Sequence, residues 1–369
     1  MNKVISFHLY NDYSGSPRVL CIILNALLDK GYHIYLITSK GGILDQIKHN
    51  NLTRTCTYSY HFSTNKIITL ILYISIQIYT FIIAFRFLFC KHVVFYINTI
   101  LPIGPAIAGK LMRKKIIYHY HEHAYAKGRI YRILAFFMQK IADEIICVSN
   151  YQASFLKRKN NITIVPNALP TAFTLQLTPD PIKAIKYQRV LMLSSLKSYK
   201  GVKEFIQLAE QLPQFNFTLV INDNEKKIKE YLENESLYKI TNKLHNITIH
   251  ARQANTAKFY NSASLVLNLS NKKYFIETFG LTVLEAMTAG LPVIVPTVGG
   301  VAELVENGVN GYKIDVENFE ELVNKTNEIL TNKSLYMKLA SNALLLSQHY
   351  SINVAINKVS SCISRQYMQ

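Results

Sequence analysis

Short runs of β-branched residues alternate with longer helical stretches along most of this 369-residue chain. This alternation is typical of βαβ units, which build parallel sheets covered by helices. A first series of strands is predicted at Val4–Leu9, Ile34–Thr38, Val93–Ile97, Ile116–His121, Ile145–Val148 and Ile162–Val165. A second series is predicted at Val190–Leu193, Phe217–Ile221, Ile247–His250, Leu265–Leu269 and Val293–Val295. Helices are predicted at Arg18–Lys30, near Ile103–Met112 and near Val202–Gln211.

The length of the chain exceeds that of one typical core, so two domains are expected. We predict an α/β fold with two facing Rossmann-like domains and an interdomain cleft, at residues 1–169 and 188–345. Residues 170–187 hold three prolines and little periodic pattern, and are predicted to be a linker. Residues 346–369 are predicted to be a C-terminal helix, with packing against the first domain left open. A cleft between two such sheets is a natural ligand site.

The net charge of +18 is concentrated in the first half of the chain. Residues 1–170 hold 20 Lys and Arg against 6 Asp and Glu, whereas residues 171–369 hold 21 against 17. A basic surface of this kind attracts a polyanion, either anionic lipid or nucleic acid. The aromatic residues lie mostly within apolar runs rather than in basic loops, which disfavours a nucleic-acid partner.

The segment Ile67–Phe85 has 19 residues without a charge and is long enough to span a bilayer. A spanning helix would place the flanking strands on opposite sides of the membrane, yet both are predicted to belong to one parallel sheet. The segment is therefore either a buried core helix or one that docks on a membrane surface. Basic residues surround it and favour docking: Lys66, Arg86, Lys91, Arg113, Lys114 and Lys115.

The stretch from Glu277 to Gly300 reads ETFGLTVLEAMTAGLPVIVPTVGG and carries the strongest functional signal. A helix is predicted after Phe279-Gly280, and its first backbone N–H groups form a ready anion site. Glycine at position 280 would let a ligand approach the backbone closely. Glu285 lies about one turn inside the helix, where it could accept hydrogen bonds from ribose hydroxyls. Glu277 precedes the helix and could reach hydroxyls of a transferred sugar.

This motif, Glu277-TFGLTVL-Glu285, resembles the E-x7-E signature of retaining GT-B glycosyltransferases of the family-4-like, bacterial polysaccharide type. The chain is similar to that family elsewhere too, in KVISFHLYNDYSGSPRVL, ITIVPNAL and LVENGVNGYKID. The resemblance implies that Glu277 binds the donor sugar and that Glu285 binds the ribose. It also implies that the amides of Phe279, Gly280 and Leu281, at the helix start shared with Thr282, serve the sugar and phosphates.

The family usually carries an Arg and a Lys that neutralise the diphosphate, in a Gly-Arg-Leu run followed by Lys-Gly. The corresponding segment here is SSLKSYKG, residues 194–201. Lys200 matches the family lysine, whereas Ser195 stands at the arginine position. Lys197 is a candidate substitute for the missing cation.

Two further candidates come from the first domain. In the family a polar residue, often His, at the end of one strand faces the donor sugar. The YHYHE run offers His121 and His119 for this position, with His121 favoured. Gly15 and Ser16 lie in the first strand–helix loop, which faces the cleft in this class.

The predicted function is transfer of one sugar from a UDP- or GDP-sugar to a glycan acceptor with retention of anomeric configuration. Lys200 and the helix start would stabilise the leaving diphosphate. The sequence holds no Asp-x-Asp triplet, so neither a metal nor another cofactor is expected. Five scattered cysteines and the absence of a secretory signal pattern point to the cytoplasm. With the basic first half, this predicts a peripheral enzyme on the inner membrane face, acting on a lipid-linked glycan of cell-surface polysaccharide or lipopolysaccharide.

Two alternatives remain open at this point. A sugar-nucleotide epimerase can share the double Rossmann architecture, but it would release an isomer without any acceptor. A basic nucleic-acid-binding protein would account for the charge, but not for the E-x7-E motif.

Overall fold

The structure, a computed structural model, describes residues 3–61, 63–157 and 161–365. The chain forms two compact units. The first unit consists of Met1–Ala168 together with Ile352–Gln369, and the second of Leu169–Ser351.

Each unit is built on one parallel sheet. Among the described residues the first sheet has seven strands in the order β3-β2-β1-β4-β5-β6-β7: β1 (Lys3–His8), β2 (His33–Ser39), β3 (Leu52–Tyr58), β4 (Val93–Asn98), β5 (Lys115–Tyr120), β6 (Glu144–Cys147) and β7 (Ile162–Ile164). The second has six in the order β10-β9-β8-β11-β12-β13: β8 (Arg189–Ser194), β9 (Asn216–Ile221), β10 (Ile247–His250), β11 (Leu265–Leu267), β12 (Val293–Val295) and β13 (Gly311–Lys313).

Helices connect most of the parallel strands. In the first unit they are α1 (Gly15–Asp29), α2 (Lys66–Ala84), α3 (Ile103–Leu111), α4 (Arg129–Ile141) and α5 (Asn150–Ser154). In the second unit they are α6 (Thr171–Thr174), α7 (Pro181–Tyr187), α8 (Val202–Gln211), α9 (Glu225–Asn234), α10 (Tyr238–Thr241), α11 (Ala257–Tyr260), α12 (Leu281–Thr288), α13 (Phe319–Thr331) and α14 (Lys333–Ser347). The last helix, α15 (Ile352–Ser364), belongs to the first unit. Short 3₁₀ turns lie at Ile43–Gln46, Phe85–Phe87, Ser198–Lys200, Ala302–Leu304 and Gln348–Tyr350.

The predicted α/β class is confirmed, and every predicted strand is present to within two residues at each end. Strands β3 and β13 were not predicted. Strand β3 holds the polar run Leu52–Tyr58, and β13 has only three residues, so neither has a β-branched core run. The segment predicted to be a linker instead contains α6 and α7 and belongs to the second unit, where Leu177 and Ala184 are buried.

Helix α2 leaves most of its apolar surface exposed. Its buried residues are Thr80, Ile83 and Ala84, whereas its large aliphatic side chains face solvent along nearly the whole length. Strands β2 and β4, the predicted strands before and after it, lie in one parallel sheet as expected. The alternative of a plain core helix is therefore wrong.

Helix α15 is held to the first unit by polar contacts as well as by its apolar face. The Nζ atom of Lys115 is buried and donates to the carbonyl oxygen of Cys362 at 2.5 Å. Arg365 pairs with the buried carboxylate of Glu144 at 3.1 Å.

Lys114 donates to the backbone carbonyls of Leu88 and Cys90, which follow α2. Of the Arg113-Lys114-Lys115 run predicted to face a membrane, Arg113 is exposed, Lys114 is half-buried and Lys115 is buried.

Candidate active site

In the second unit, Glu277 is the acceptor of a converging set of donors. Lys200 forms an ion pair with its Oε1 atom, Ser270 Oγ donates to the same oxygen at 2.6 Å, and Asn268 Nδ2 at 3.3 Å. Asn268 and Ser270 come directly after β11, at the carboxyl edge where ligands bind to sheets of this type. All of these bonds involve Oε1, so Oε2 is the carboxylate oxygen to which no described side chain is seen to donate.

Glu277 is largely buried, with 11% of its side chain exposed, and it remains ionised at neutral pH. Burial alone would raise the pKa of this carboxyl group. The charge of Lys200 and the hydrogen bonds from Lys200, Ser270 and Asn268 outweigh burial and hold the pKa below its usual value of 4.5. The carboxylate and the ammonium group therefore form a nearly neutral pair at this edge of the sheet.

Glycines hold the Glu277 backbone from the next loop. Gly299 has a φ of +113°, and a Cβ there would lie 2.7 Å from the carbonyl oxygen of Glu277. The same carbonyl accepts a hydrogen bond from Gly300 N at 2.8 Å. Only glycine fits the backbone conformation and the close approach at position 299. This glycine turn therefore positions the backbone of Glu277.

The predicted reason for glycine at position 280 is wrong. A Cβ on Gly280 would lie 2.5 Å from Cγ2 of Val301, so the missing side chain makes room for packing within the unit and not for a ligand. Gly280 still lies at the start of α12, as predicted, where it is the N-cap residue. Phe279, Leu281 and Thr282 surround this helix start and are all partly exposed. As at any helix start, the first backbone amides of α12 have no acceptor within the helix.

Glu285 lies one turn inside α12, as predicted, and a buried tyrosine orients it. The hydroxyl of Tyr260 donates to Glu285 Oε2 at 2.5 Å. Burial, and to a lesser degree the nearby carboxylate of Glu285, raises the pKa of Tyr260 well above its usual value, so this hydroxyl remains a donor. Glu285 is half-buried, which differs from a solvated surface charge.

Lys200 lies against two stacked aromatic rings. Tyr199 and Phe275 have ring centroids 4.7 Å apart, and the Lys200 ammonium lies 5.9 Å from each. The ammonium of Lys197, which is exposed, lies 5.8 Å from the ring of Tyr199. Both lysines therefore approach the same ring, which brings the candidate second cation close to Lys200. Ser195 is partly exposed in the preceding turn.

In the first unit, a cluster of imidazoles meets at the carboxyl ends of three neighbouring strands. His8 ends β1, Asn98 ends β4, and His119 and His121 lie in and just after β5. Asn98 is fully buried and joins the cluster, because its Nδ2 lies 3.0 Å from His8 Nδ1 and its Oδ1 lies 2.9 Å from His121 Nε2. The ring of His119 lies 4.1 Å from that of His121 and bonds to Tyr96.

The structure separates the two histidine candidates. His119 is 1% exposed and points into the unit, whereas His121 is partly exposed at the sheet edge. Burial lowers the pKa of His8 to about 4 and that of His119 to about 3. Burial, with His119 and His8 nearby, also holds the pKa of His121 well below 6.5. The cluster is therefore uncharged at neutral pH.

The first loop differs from its prediction in one respect. Gly15 begins α1, its φ is not positive, and a Cβ would meet nothing within 4 Å. The fold itself therefore does not require glycine here. Ser16 is tied to the cluster, since its carbonyl oxygen accepts from Asn98 Nδ2 at 3.3 Å.

Several residues of these two sites were not predicted: His8, Asn98, Tyr260, Asn268 and Ser270. His8, Asn98, Asn268 and Ser270 do carry a usable signal, because polar residues at the ends of buried strands meet at one sheet edge. Tyr260 gives no such signal in the sequence. Within residues 3–61, 63–157 and 161–365, no group of three or more His, Cys, Asp or Glu side chains could hold a metal ion.

Two known protein families match this chain. The family described as Glycosyltransferase Family 4 matches residues 13–173, and the one described as Glycosyl transferases group 1 matches residues 179–345. An uncharacterized glycosyltransferase of Haemophilus influenzae is 25% identical over 377 residues, which cover 96% of this chain and 98% of that protein.

Solved structures show the same fold at low sequence identity. Anabaena HepE in complex with UDP and glucose superposes with a TM-score of 0.78 at 19% identity, covering 99% of this chain and 100% of that one. WaaG, a glycosyltransferase involved in lipopolysaccharide biosynthesis, superposes with a TM-score of 0.67 at 18% identity, covering 98% and 100%.

Proposed function

This chain belongs to the family-4-like glycosyltransferases with the GT-B fold, and we propose that it transfers a sugar from a nucleotide-sugar to a glycan hydroxyl with retention of anomeric configuration. The observation that carries the proposal is the arrangement of Glu277 and Glu285 around the start of α12, each oriented by its own donors. The donor is a UDP- or GDP-sugar. The UDP and glucose bound to HepE support this choice.

The chemistry follows from the charges at the carboxyl edge of the second sheet. The acceptor hydroxyl attacks the anomeric carbon on the face from which the diphosphate leaves, and the departing phosphate oxygen takes the hydroxyl proton. Lys200 and the first amides of α12 stabilise the charge that develops on the diphosphate. Glu277 accepts hydrogen bonds from donor-sugar hydroxyls through Oε2, and Glu285 binds the ribose. We propose that the positive charge of Lys200 and of the α12 start makes a divalent metal unnecessary.

The experiment that tests the proposal is nucleotide release. The protein is incubated with UDP-, GDP-, ADP- and dTDP-sugars in chelator, alone and with glycan acceptors, beside Glu277→Ala and Glu285→Ala. Release from one donor that both variants abolish is expected, whereas Glu328→Ala, which removes an exposed surface partner of Lys325, should be unaffected. A strict requirement for Mn²⁺ or Mg²⁺, or an inverted product anomer by NMR, would contradict the mechanism.

We further propose that the acceptor is lipid-linked, because the first unit carries a broad apolar face. Helix α3 packs beside both α2 and α4, and all three expose large apolar side chains. These form the apolar face: Ile67, Ile68, Leu70, Ile71, Ile74, Ile78, Ile82, Ile107, Leu111, Ile130, Ile133, Phe136 and Phe137. Large exposed apolar patches are rare on soluble monomers and mark sites of interaction.

Basic residues border the apolar face. The exposed ones on and beside its helices are Lys66, Arg86, Lys91, Lys110, Arg113, Lys127, Arg129, Arg132 and Lys140, of which Lys110 pairs with Asp143. The sequence from residue 46 to residue 121 contains no Asp or Glu. Apolar side chains bordered by cations fit the interface of an anionic bilayer. We propose that this face docks on the inner surface of the cytoplasmic membrane, where the enzyme would meet a growing polysaccharide or lipopolysaccharide.

Docking can be tested with two substitutions of equal exposure. Ile71 in α2 and Leu345 in α14 are each 58% exposed. Ile71→Asp should weaken binding to vesicles that contain anionic lipid, whereas Leu345→Asp should leave binding unchanged. A protein that ignores such vesicles, or forms a dimer that Ile71→Asp disrupts, would show that this face has another partner.

A further inference from the structure

Asn98 lies at the centre of the imidazole cluster, and its amide has a fixed orientation. It is fully buried, and register places it opposite His119 in the neighbouring strand. One end of its amide lies 3.3 Å from the carbonyl oxygen of Ser16. A carbonyl oxygen only accepts hydrogen bonds, so the amide atom facing it must be the NH₂ group. The opposite end, which faces His121, is therefore the Oδ1 oxygen.

This orientation determines where His121 carries its proton. Asn98 Oδ1 can only accept, so the His121 Nε2 atom 2.9 Å away must be the donor. A neutral imidazole has one N–H, and burial keeps this ring neutral because it lowers the pKa of His121. The remaining nitrogen, Nδ1, is then an acceptor. By the same logic His8 accepts from Asn98 through Nδ1 and carries its own proton on Nε2.

We propose that Asn98 is a positioning residue that fixes His121 as the Nε2-protonated tautomer, so that His121 recognises a substrate hydroxyl as a hydrogen-bond acceptor. The specificity part of this inference rests on the proposed glycosyl transfer, whereas the tautomer does not. An acceptor nitrogen selects a group that donates, such as a sugar hydroxyl. It gains nothing from a deoxy position or from a fluorine, neither of which donates.

His8 completes the arrangement from the other side. Because it accepts from Asn98, it opposes rotation of the amide by 180°, which would direct Oδ1 at the Ser16 carbonyl. The His8 Nε2 atom is buried and has no hydrogen-bond partner among the described residues. The Nε2–H group of His8 is therefore a buried donor without a described acceptor. Such groups are rare in proteins, and the contact that His8 makes with Asn98 accounts for this one.

The tautomer is tested directly by ¹⁵N NMR of the full-length, unliganded protein at neutral pH, with His121→Gln used to assign the signals. The expected result is a protonated Nε2 and an unprotonated Nδ1 on His121. A protonated Nδ1 with a bare Nε2 would overturn the proposal. This measurement needs neither activity nor an Asn98 variant that folds.

The specificity is tested with the UDP- or GDP-hexose that the wild type turns over and its monodeoxy analogues. Removal of one hydroxyl should lower kcat/KM in the wild type by about tenfold, as expected for one lost hydrogen bond. In Asn98→Leu, kcat/KM for the parent donor should fall to the level of that deoxy donor, and the preference should vanish. Asn161→Leu, which removes a hydrogen bond to the Ala142 carbonyl in the same unit, is the matched control.

The outcomes separate the two levels of the account. A folded Asn98→Leu that keeps the wild-type hydroxyl preference would overturn the positioning role. An inactive wild type whose His121 carries its proton on Nε2 would refute glycosyl transfer and the specificity role, while the tautomer would stand.

Discussion

The carboxyl edges of the two sheets carry opposite kinds of polar cluster. The first unit presents neutral imidazoles around Asn98, whereas the second presents an ion pair between Lys200 and Glu277. Both clusters are largely buried, so desolvation acts on both. The difference is that the imidazoles respond to burial by remaining neutral, while the carboxylate remains charged because a lysine and two hydrogen bonds compensate.

We propose that this contrast reflects different roles of the two clusters in the proposed transfer. A neutral cluster can recognise hydroxyl groups by direction but contributes little to binding a diphosphate. An ion pair at a helix start can stabilise developing negative charge on a leaving phosphate. We expect perturbations of the first unit to change selectivity among sugars, and perturbations of the second to change nucleotide binding and the rate of transfer.

The largest effect is expected for Glu277→Gln. Glutamine keeps the shape of the side chain and can still accept from Ser270, but it cannot neutralise Lys200. We expect kcat to fall by about 10²- to 10³-fold, as for loss of a preorganised group that acts in the transition state. Glu328→Gln provides the control in steady-state assays. A variant that keeps a tenth of wild-type kcat would show that the charge of Glu277 is dispensable.

Acid should weaken the first unit before the second. Unfolded histidine binds a proton near pH 6.5, whereas folded His8 does so only near pH 4, so stability falls as pH drops through this window. His8 alone should account for about 3 kcal/mol. In the second unit, the lowered pKa values of Glu277 and Asp315 cost stability only below their usual values of 4.5 and 3.8.

Hydrogen exchange at pH 7 and pH 5, corrected for intrinsic rates, can measure this difference. Peptides from β1 and β4 should lose protection at pH 5, whereas those from β8 and β12 should not. His8→Gln should reduce the loss in β1. Equal loss in both sheets would remove the distinction between the clusters.

A smaller effect is expected for Tyr260→Phe, which removes the hydroxyl that orients Glu285. We expect KM for the donor to rise by about tenfold with little change in kcat, because ribose binding is the same in the ground and transition states. Tyr336→Phe is the matched control, since the buried Tyr336 hydroxyl has no partner among the described residues. An unchanged KM in Tyr260→Phe would mean that Glu285 needs no such support.

The smallest effect is expected for Lys197→Ala. Because an exposed cation near the diphosphate strengthens nucleotide binding only modestly, Lys197→Ala should weaken it by about two- to fivefold at low salt. Lys203→Ala, an exposed lysine on α8, should have no effect in the same titrations. If Lys197→Ala also has none, the charge of the missing arginine at Ser195 is not replaced by this residue.

The sequence was sufficient to predict the two parallel sheets, because their core strands are runs such as Val93–Ile97 and Phe217–Ile221 that few other folds accommodate. It also placed Glu277 before α12 and Glu285 inside it. It could not predict how side chains distant in the chain converge. Asn98 meets Ser16 only because β4 lies beside β1, and Lys200 meets Glu277 across 77 positions.

Local pattern was misleading where packing decided the outcome. Gly280 reads as a ligand-facing glycine, yet Val301 fills the space beside it. Lys115 reads as part of a basic surface run, yet its strand carries it into the interior, where it binds the end of α15. The prolines of residues 170–187 indicated a linker, although Pro181 begins a short helix, a position that proline favours.

We propose that Lys200 stabilises the leaving diphosphate and Glu277 holds the donor sugar during transfer, while the neutral imidazoles of the first unit distinguish sugar hydroxyls. The most direct test is the affinity for UDP, measured by calorimetry in the wild type, Glu277→Gln and His121→Ala. Glu277→Gln is expected to bind UDP at least as tightly as the wild type, because Lys200 is released from its carboxylate partner, and His121→Ala is expected to bind UDP with unchanged affinity. Loss of UDP affinity in either variant, or wild-type activity in Glu277→Gln, would contradict these assignments.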